Sequence, residues 1–188
     1  MSQVTLPAGY SAQGAAGANG VFELGTAPTA PTQTLSVLEQ IMVNIVATLK
    51  TVTTSNGYSN TLSVSRPNAS GTNPVVDMAA VVLQGEATRD FECPQNLMQW
   101  EQKVSVVAMI VNPEGSSASL DTRRNSICAD IQLALCQPSS FNRGGLAVDT
   151  VMEAPEYETL PATASAGAVA VNFTVKYRTQ YNQPYQTP

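Results

Sequence analysis

Two periods of apolar side chains divide this chain. Leu38, Ile41, Met42, Ile45, Leu49 and Val52 recur at steps of three and four, the spacing of one helix face. Val37, Val43 and Val46 widen that face. Ser36-x-x-Glu39 at its start is a capping box, in which hydroxyl and carboxylate each take an orphan amide. Asn56-Gly57 supplies the left-handed backbone that ends the segment. A second helical stripe, Leu120, Ile127, Cys128, Ile131 and Leu135, stops short of Pro138.

Alternation of period two marks the strands. Leu62 and Val64 oppose Thr61, Ser63 and Ser65. After the polar loop "RPNASGTNP", "VVDMAAVVLQG" predicts a second strand. "VSVVAMIV", Val104 to Val111, is apolar on both faces and predicts a central third. Between these two, "EATRDFECPQNLMQW" reads as a long connection. "LAVDTVMEA" predicts a fourth strand and "GAVAVNFTVKYRTQY" a fifth. In the fifth, Val169, Val171, Phe173, Val175 and Tyr177 face one side while Asn172, Thr174, Lys176 and Arg178 face the other. The order α-β-β-β-α-β-β predicts an α+β fold with both helices on one side of a mainly antiparallel sheet.

The ends lack such patterns. Residues 1–33 are rich in Gly, Ala, Pro and Thr with one charge, Glu23, and read as a flexible or extended N-terminal arm. The folded domain is expected over 34–181, with a loose tail over 182–188. At 188 residues and 43% hydrophobic content, one domain with a substantial core fits. Charged residues are only 12%, so Ser, Thr, Asn and Gln must supply much of the surface, as on a surface that neighbours cover. A net charge of -5, with Arg123-Arg124 the one adjacent basic pair, argues against sequence-specific DNA binding. No run reaches the ~20 apolar residues of a membrane span, and the start does not read as a signal peptide, so a soluble, non-exported chain is expected.

Chemistry is hard to find. Without histidine the chain lacks the commonest general base and most metal sites. No nucleophile elbow, P-loop or dinucleotide fingerprint occurs, and Gly14, Gly17 and Gly20 precede no strand–helix unit. Cys93, Cys128 and Cys136 have no metal spacing and read as buried free thiols, which suits a reducing compartment. Glu86, Asp90 and Glu92 crowd one connection around Arg89, the pattern of a solvated, charge-balanced rim. Arg123 and Arg124 follow Asp121; Arg124 falls near the apolar stripe and Arg123 points away. They read either as an exposed pair served by Asp121 and Asp130 or as an intersubunit contact. The chain is expected not to be an enzyme and to need no cofactor or metal.

The whole arrangement resembles a known family. A leading helix, "TSNGYSNTLSV", "NPVVDMAAVVLQG", a central "VSVVAMIV", the helix "SICADIQLALCQ" and a final alternating strand resemble the tail terminator proteins of tailed bacteriophages, also called tail completion or head–tail joining proteins. The resemblance covers roughly Thr34 to Tyr181. It implies a curved sheet flanked by two helices and a hexameric ring that caps the tail tube and ends its polymerisation. The implied partners are further copies of the chain, the tail tube protein and the head connector or head-closure protein. Genomic DNA would pass through unbound, since an acidic wall repels phosphates. The implied location is the virion neck, after assembly in the host cytoplasm. On this reading the contacts are the arm, the Glu86–Asn96 connection with Arg89, Asp90 and Glu92, and the second helix around Asp121, Arg123 and Arg124. Two other classes compete: another ring-forming virion component, such as a head-closure adaptor or tail tube protein, and an enzyme or small-ligand binder with an unfamiliar site.

Overall fold

The computed structural model describes residues 35–67, 77–90, 96–112, 118–159, 164–181 and 183–187. The arm predicted over 1–33 lies outside the described residues, as do Glu92 and Cys93. The first helix, α1 (Val37–Lys50), starts where the capping box places it, with the Ser36 hydroxyl accepting from the Glu39 amide at 3.2 Å. The reciprocal half of the box is not made. The Glu39 carboxylate pairs instead with Arg66, which has the longer reach and carries a full charge. Val37, Ile41, Met42, Ile45 and Leu49 are buried along one face. The helix closes at Thr51, and the chain turns through a 3-10 segment, Thr54–Asn56, to Gly57 at φ +88°. Val52 is therefore buried beyond the helix end and not within it.

Four strands and a helix follow: β1 (Ser63–Ser65), β2 (Ala79–Asp90), β3 (Leu97–Val111), α2 (Leu120–Cys136) and β4 (Asp149–Met152). A two-residue strand, β5 (Glu156–Tyr157), and the long β6 (Ala166–Gln180) complete the chain's order. The six-stranded sheet runs β1-β2-β3-β6-β4, with β5 also on β6. Only the β1–β2 pair is parallel. The α-β-β-β-α-β-β order holds once the short β5 is set beside it. The doubly apolar β3 is central, as expected, lying between β2 and β6.

One face of the sheet carries Val82, Val104, Val106, Ala108, Ile110, Val169, Val171, Phe173 and Val175, all buried. Both helices contribute to that same core, α1 through Ile41 and Ile45, α2 through Ile127 and Ile131. Asp130 on α2 is buried and accepts from the Ser59 and Asn60 amides at 3.2 and 2.8 Å and from the Asn60 side chain at 2.7 Å. It therefore ties the loop after α1 to α2 and does not serve the Arg123-Arg124 pair.

Among the described residues the other face has no helix on it. Val81, Val107 and Met109 sit there half-buried, and Leu83 is exposed. Farther along, the same face turns ionic: Lys103 pairs with Glu153, Lys176 with Glu101 at 2.8 Å, and Arg178 donates to Gln99 at 2.7 Å.

The segment read as a connection is largely strand. β2 runs on to Asp90 and β3 starts at Leu97, so Glu86–Asp90 and Leu97–Trp100 are the two arms of a hairpin. A bulge between Gln84 and Ala87 offsets the pairing by one residue. Buried Gln102 holds it, donating through Nε2 to the carbonyls of Gly85 at 2.8 Å and Glu86 at 3.2 Å. Gly85 fits closely here, since a Cβ would stand 3.2 Å from the Lys103 backbone oxygen and would need the neighbouring strand to give by a few tenths of an ångström. Gly85 to Thr88 show no alternation because both faces are exposed there; the backbone ladder alone makes them a strand.

Ile41 is 0% exposed in the centre of this core. Ile41→Asp should therefore cost several kcal/mol of a total of ~5–15. Thermal unfolding followed by circular dichroism checks it, and an unchanged midpoint would refute the assigned face.

Candidate functional site

The seven residues singled out from the sequence do not form one site. Glu86 and Arg89 lie on the far half of β2, where Arg89 is paired in register with Trp100 and Asp90 with Gln99. Arg123 and Arg124 lie at the start of α2, beside the opposite end of the strand. From Ala79 to Asp90 the strand spans about 35 Å at ~3.3 Å per residue. Glu86 is exposed, and no group of three His, Cys, Asp or Glu suited to a metal ion occurs among the described residues.

Both arginines are used within the fold. Arg123 reaches the Asp77 carboxylate at 2.7 Å and the Val111 carbonyl, and the Val111 amide donates to the other Asp77 oxygen at 2.9 Å. The start of β2, the end of β3 and the start of α2 are thereby clamped together. Burial works upward on the Asp77 carboxyl, but Arg123 and the Val111 and Met78 amides outweigh it and hold it below the ordinary carboxylate range. Arg124 is buried as its spacing predicts, yet for a different purpose. It pairs with Asp121, donates to the Glu158 carbonyl at 2.7 Å, and lies 5.5 Å from the Tyr157 ring centre. That pins β5 and the residues after it against α2.

A third arginine escaped the sequence reading. Arg143 is fully buried, with Nε donating to the Thr150 hydroxyl at 3.1 Å and a terminal nitrogen to the Leu135 carbonyl. Ser140 donates to the Ala134 carbonyl at 2.7 Å. Together they satisfy carbonyls that the last turn of α2 leaves open, and the guanidinium sits at the negative end of that helix. Burial draws Arg143 down to about 10. Its backbone and the two glycines after it, Gly144 and Gly145, all have positive φ, which is what "NRGG" encodes.

The thiols are not poised for chemistry. Burial pushes Cys128 up, with a hydrogen bond to Tyr157 opposing it, and burial likewise pushes Cys136 up. Both are free, and an elevated thiol is a poor nucleophile.

A groove of about 370 Å³ opens at the start of α1. Leu38, Met98, Trp100, Tyr177 and Pro184 give it apolar walls, and Ser36, Thr179, Gln180 and Gln183 supply neutral polar groups. The hairpin brings Met98 and Trp100 to it. The stretch after β6 brings Pro184, whose carbonyl accepts from the Val37 amide at 2.9 Å. Among the described residues no Asp, Glu, Lys, Arg or Cys lines it. Sequence reading missed the groove because its walls come from three distant stretches; the lone tryptophan was the available signal.

No protein-family model matches this chain, and no curated protein matches it.

The Asp77–Arg123 clamp gives a pH test. Its folded carboxyl value is lowered, so its stabilisation is complete above the ordinary carboxylate range and is lost as pH falls through the folded value. Asp77 is 41% exposed, so Asp77→Asn should lower stability near neutrality by only about 1 kcal/mol or less. Wild type and variant should converge in acid, as read from urea unfolding across pH. A gap that persists unchanged in strong acid would exclude this role.

Proposed function

We propose that the chain is a structural virion protein of the tail terminator kind, which closes as a ring on the tail tube and joins the tail to the head connector. One observation carries the reading: among the described residues, a single sheet has both helices on one face and no helix on the other. On the helix-free face Val81, Leu83, Val107 and Met109 adjoin a ladder of ion pairs that are already satisfied. Such a surface suits packing against further protein, since its charges are committed and its apolar part gains by burial. The element order agrees with what the family resemblance implies, and the net charge of -5 suits a wall past which DNA slides.

Ring closure follows if each copy offers two different patches whose rotation closes. Among the described residues β2 beyond Val81 has no strand on its outer side, and an uncovered edge of this length favours open stacking unless it is covered. The far half of β2, with Glu86 and Arg89, is therefore a contact expected to be buried in the ring. In the α2 group Asp121 is exposed but ion-paired with Arg124, so a partner would meet its carboxylate with that pair already made.

Native mass measurement of the assembled protein should give six times the 19.8 kDa chain. Cryo-microscopy of the parent phage should find one ring of it at the head–tail junction. Density repeated along the tail would assign it to the tube, and absence from the particle would end the proposal.

A further inference from the structure

Asn56 and Gly57 bring together two groups that react with each other without a catalyst. A glycine nitrogen is the least hindered main-chain nucleophile, and the asparagine side chain before it holds an amide carbon within reach of a five-membered ring. Both residues are exposed, and no atom lies within 4 Å of the point where a Gly57 Cβ would stand. Ring closure therefore meets no steric barrier there. What opposes it is hydrogen bonding. Asn56 Nδ2 donates to the Thr51 carbonyl at 2.8 Å, the Asn56 amide to the Thr53 carbonyl at 3.0 Å, and the Gly57 amide to the Thr54 carbonyl at 3.2 Å. The last is at the long end of the normal range. These bonds join exposed and half-buried residues, so the turn can open locally at far less cost than global unfolding.

The same turn supports the packing of α1 on α2. Asn56 satisfies the Thr51 carbonyl left open where α1 ends. Beyond it the Tyr58 amide donates to the Thr53 carbonyl at 3.3 Å and the Leu62 amide to the Val52 carbonyl at 3.0 Å. Between those two bonds, Ser59 and Asn60 give their amides to buried Asp130 of α2. We infer that Asn56 is a site of spontaneous backbone modification, guarded by this turn, and that its conversion loosens the tie between α1 and α2. The Gly57 nitrogen attacks the Asn56 side-chain carbonyl carbon and forms a C–N bond. The glycine's proton leaves with the amide nitrogen as ammonia, and a succinimide remains. Water opens that ring to aspartate at one carbonyl or to isoaspartate at the other. An aspartate carboxylate can only accept, so it faces the Thr51 carbonyl with no hydrogen to give, at the negative end of the helix. Isoaspartate inserts a methylene into the main chain of a turn whose bonds fix its length. Either product weakens the hold of Ser59 and Asn60 on the Asp130 carboxylate, which is costly to leave buried and short of partners. The chemistry needs only water and holds whether or not the chain closes into a ring.

The test keeps the full chain folded in mildly alkaline buffer, beside a synthetic peptide of residues 51–61. Peptide mass mapping with isoaspartate-specific methylation follows Asn56 and separates it from Asn19-Gly20, the other such pair in the sequence. The folded chain should convert at Asn56 several-fold more slowly than the peptide. Its rate should climb with pH, since the attacking nitrogen must lose its proton, and unfolding in urea should remove the difference. Asn56→Gln, which would need a six-membered ring, should not convert at this position. Asn56→Asp installs the aspartate product directly, and should lower the thermal midpoint by a few degrees and speed hydrogen exchange at the Ser59 and Asn60 amides. An Asn56 still intact in the folded chain many peptide half-lives later overturns the site. Equal rates in folded chain and peptide overturn the guard. Unaltered midpoint and exchange in Asn56→Asp overturn the link to Asp130.

Discussion

The fold depends on one backbone ladder. β3 and β6 pair without a break from Leu97 opposite Gln180 to Val111 opposite Ala166. Fifteen residues on each strand are thereby held in a single register, and a slip of one would turn Val169, Val171, Phe173 and Val175 from the core to the open face. The other strands build outward from these two: β2 on β3, β4 and β5 on β6, and β1 on β2. The helices then cover the apolar side that this register defines. Because the ladder joins stretches about 70 residues apart in the chain, it also sets a large entropic barrier to folding.

What could be read in the sequence follows from where side chains alone decide the structure. β6 was legible residue by residue, since its alternation is that of a strand with one buried face. The start of α1 was legible from Ser36, and the central place of β3 from its doubly apolar run. The far half of β2 was not, because Gln84 to Thr88 are exposed on both faces and only main-chain bonding keeps them extended. Arg143 was not, because a lone arginine in a turn is ordinarily a surface residue, whereas here the carbonyl end of α2 gives it a partner. The groove was not, because neither its Trp100 wall nor its Pro184 wall has meaning until β3 and the stretch after β6 are adjacent.

The charged residues suggest how such a chain can be sparse in charge and still well determined. Arg123, Arg124, Arg143 and Asp130 are each spent inside the fold, joining ends of elements that hydrophobic packing leaves unspecified. Exposed Glu86 lies on the surface, whereas Asp121, also exposed, serves as the ion-pair partner of Arg124. Candidates chosen by clustering in the sequence thus divide into fasteners and surface groups, a distinction that depends on burial and not on residue type.

The hydrogen bond from the Val37 amide to the Pro184 carbonyl joins the first described helix to the last described stretch. Its consequence appears during synthesis. α1 leaves the ribosome early, but neither its first amide nor the inner edge of β3 can be satisfied until β6 and the residues after it have been made. For most of translation the nascent chain therefore presents the apolar side of a half-built sheet. Its solubility in that interval rests on chaperones or on the speed of the final step, and not on the finished protein's stability.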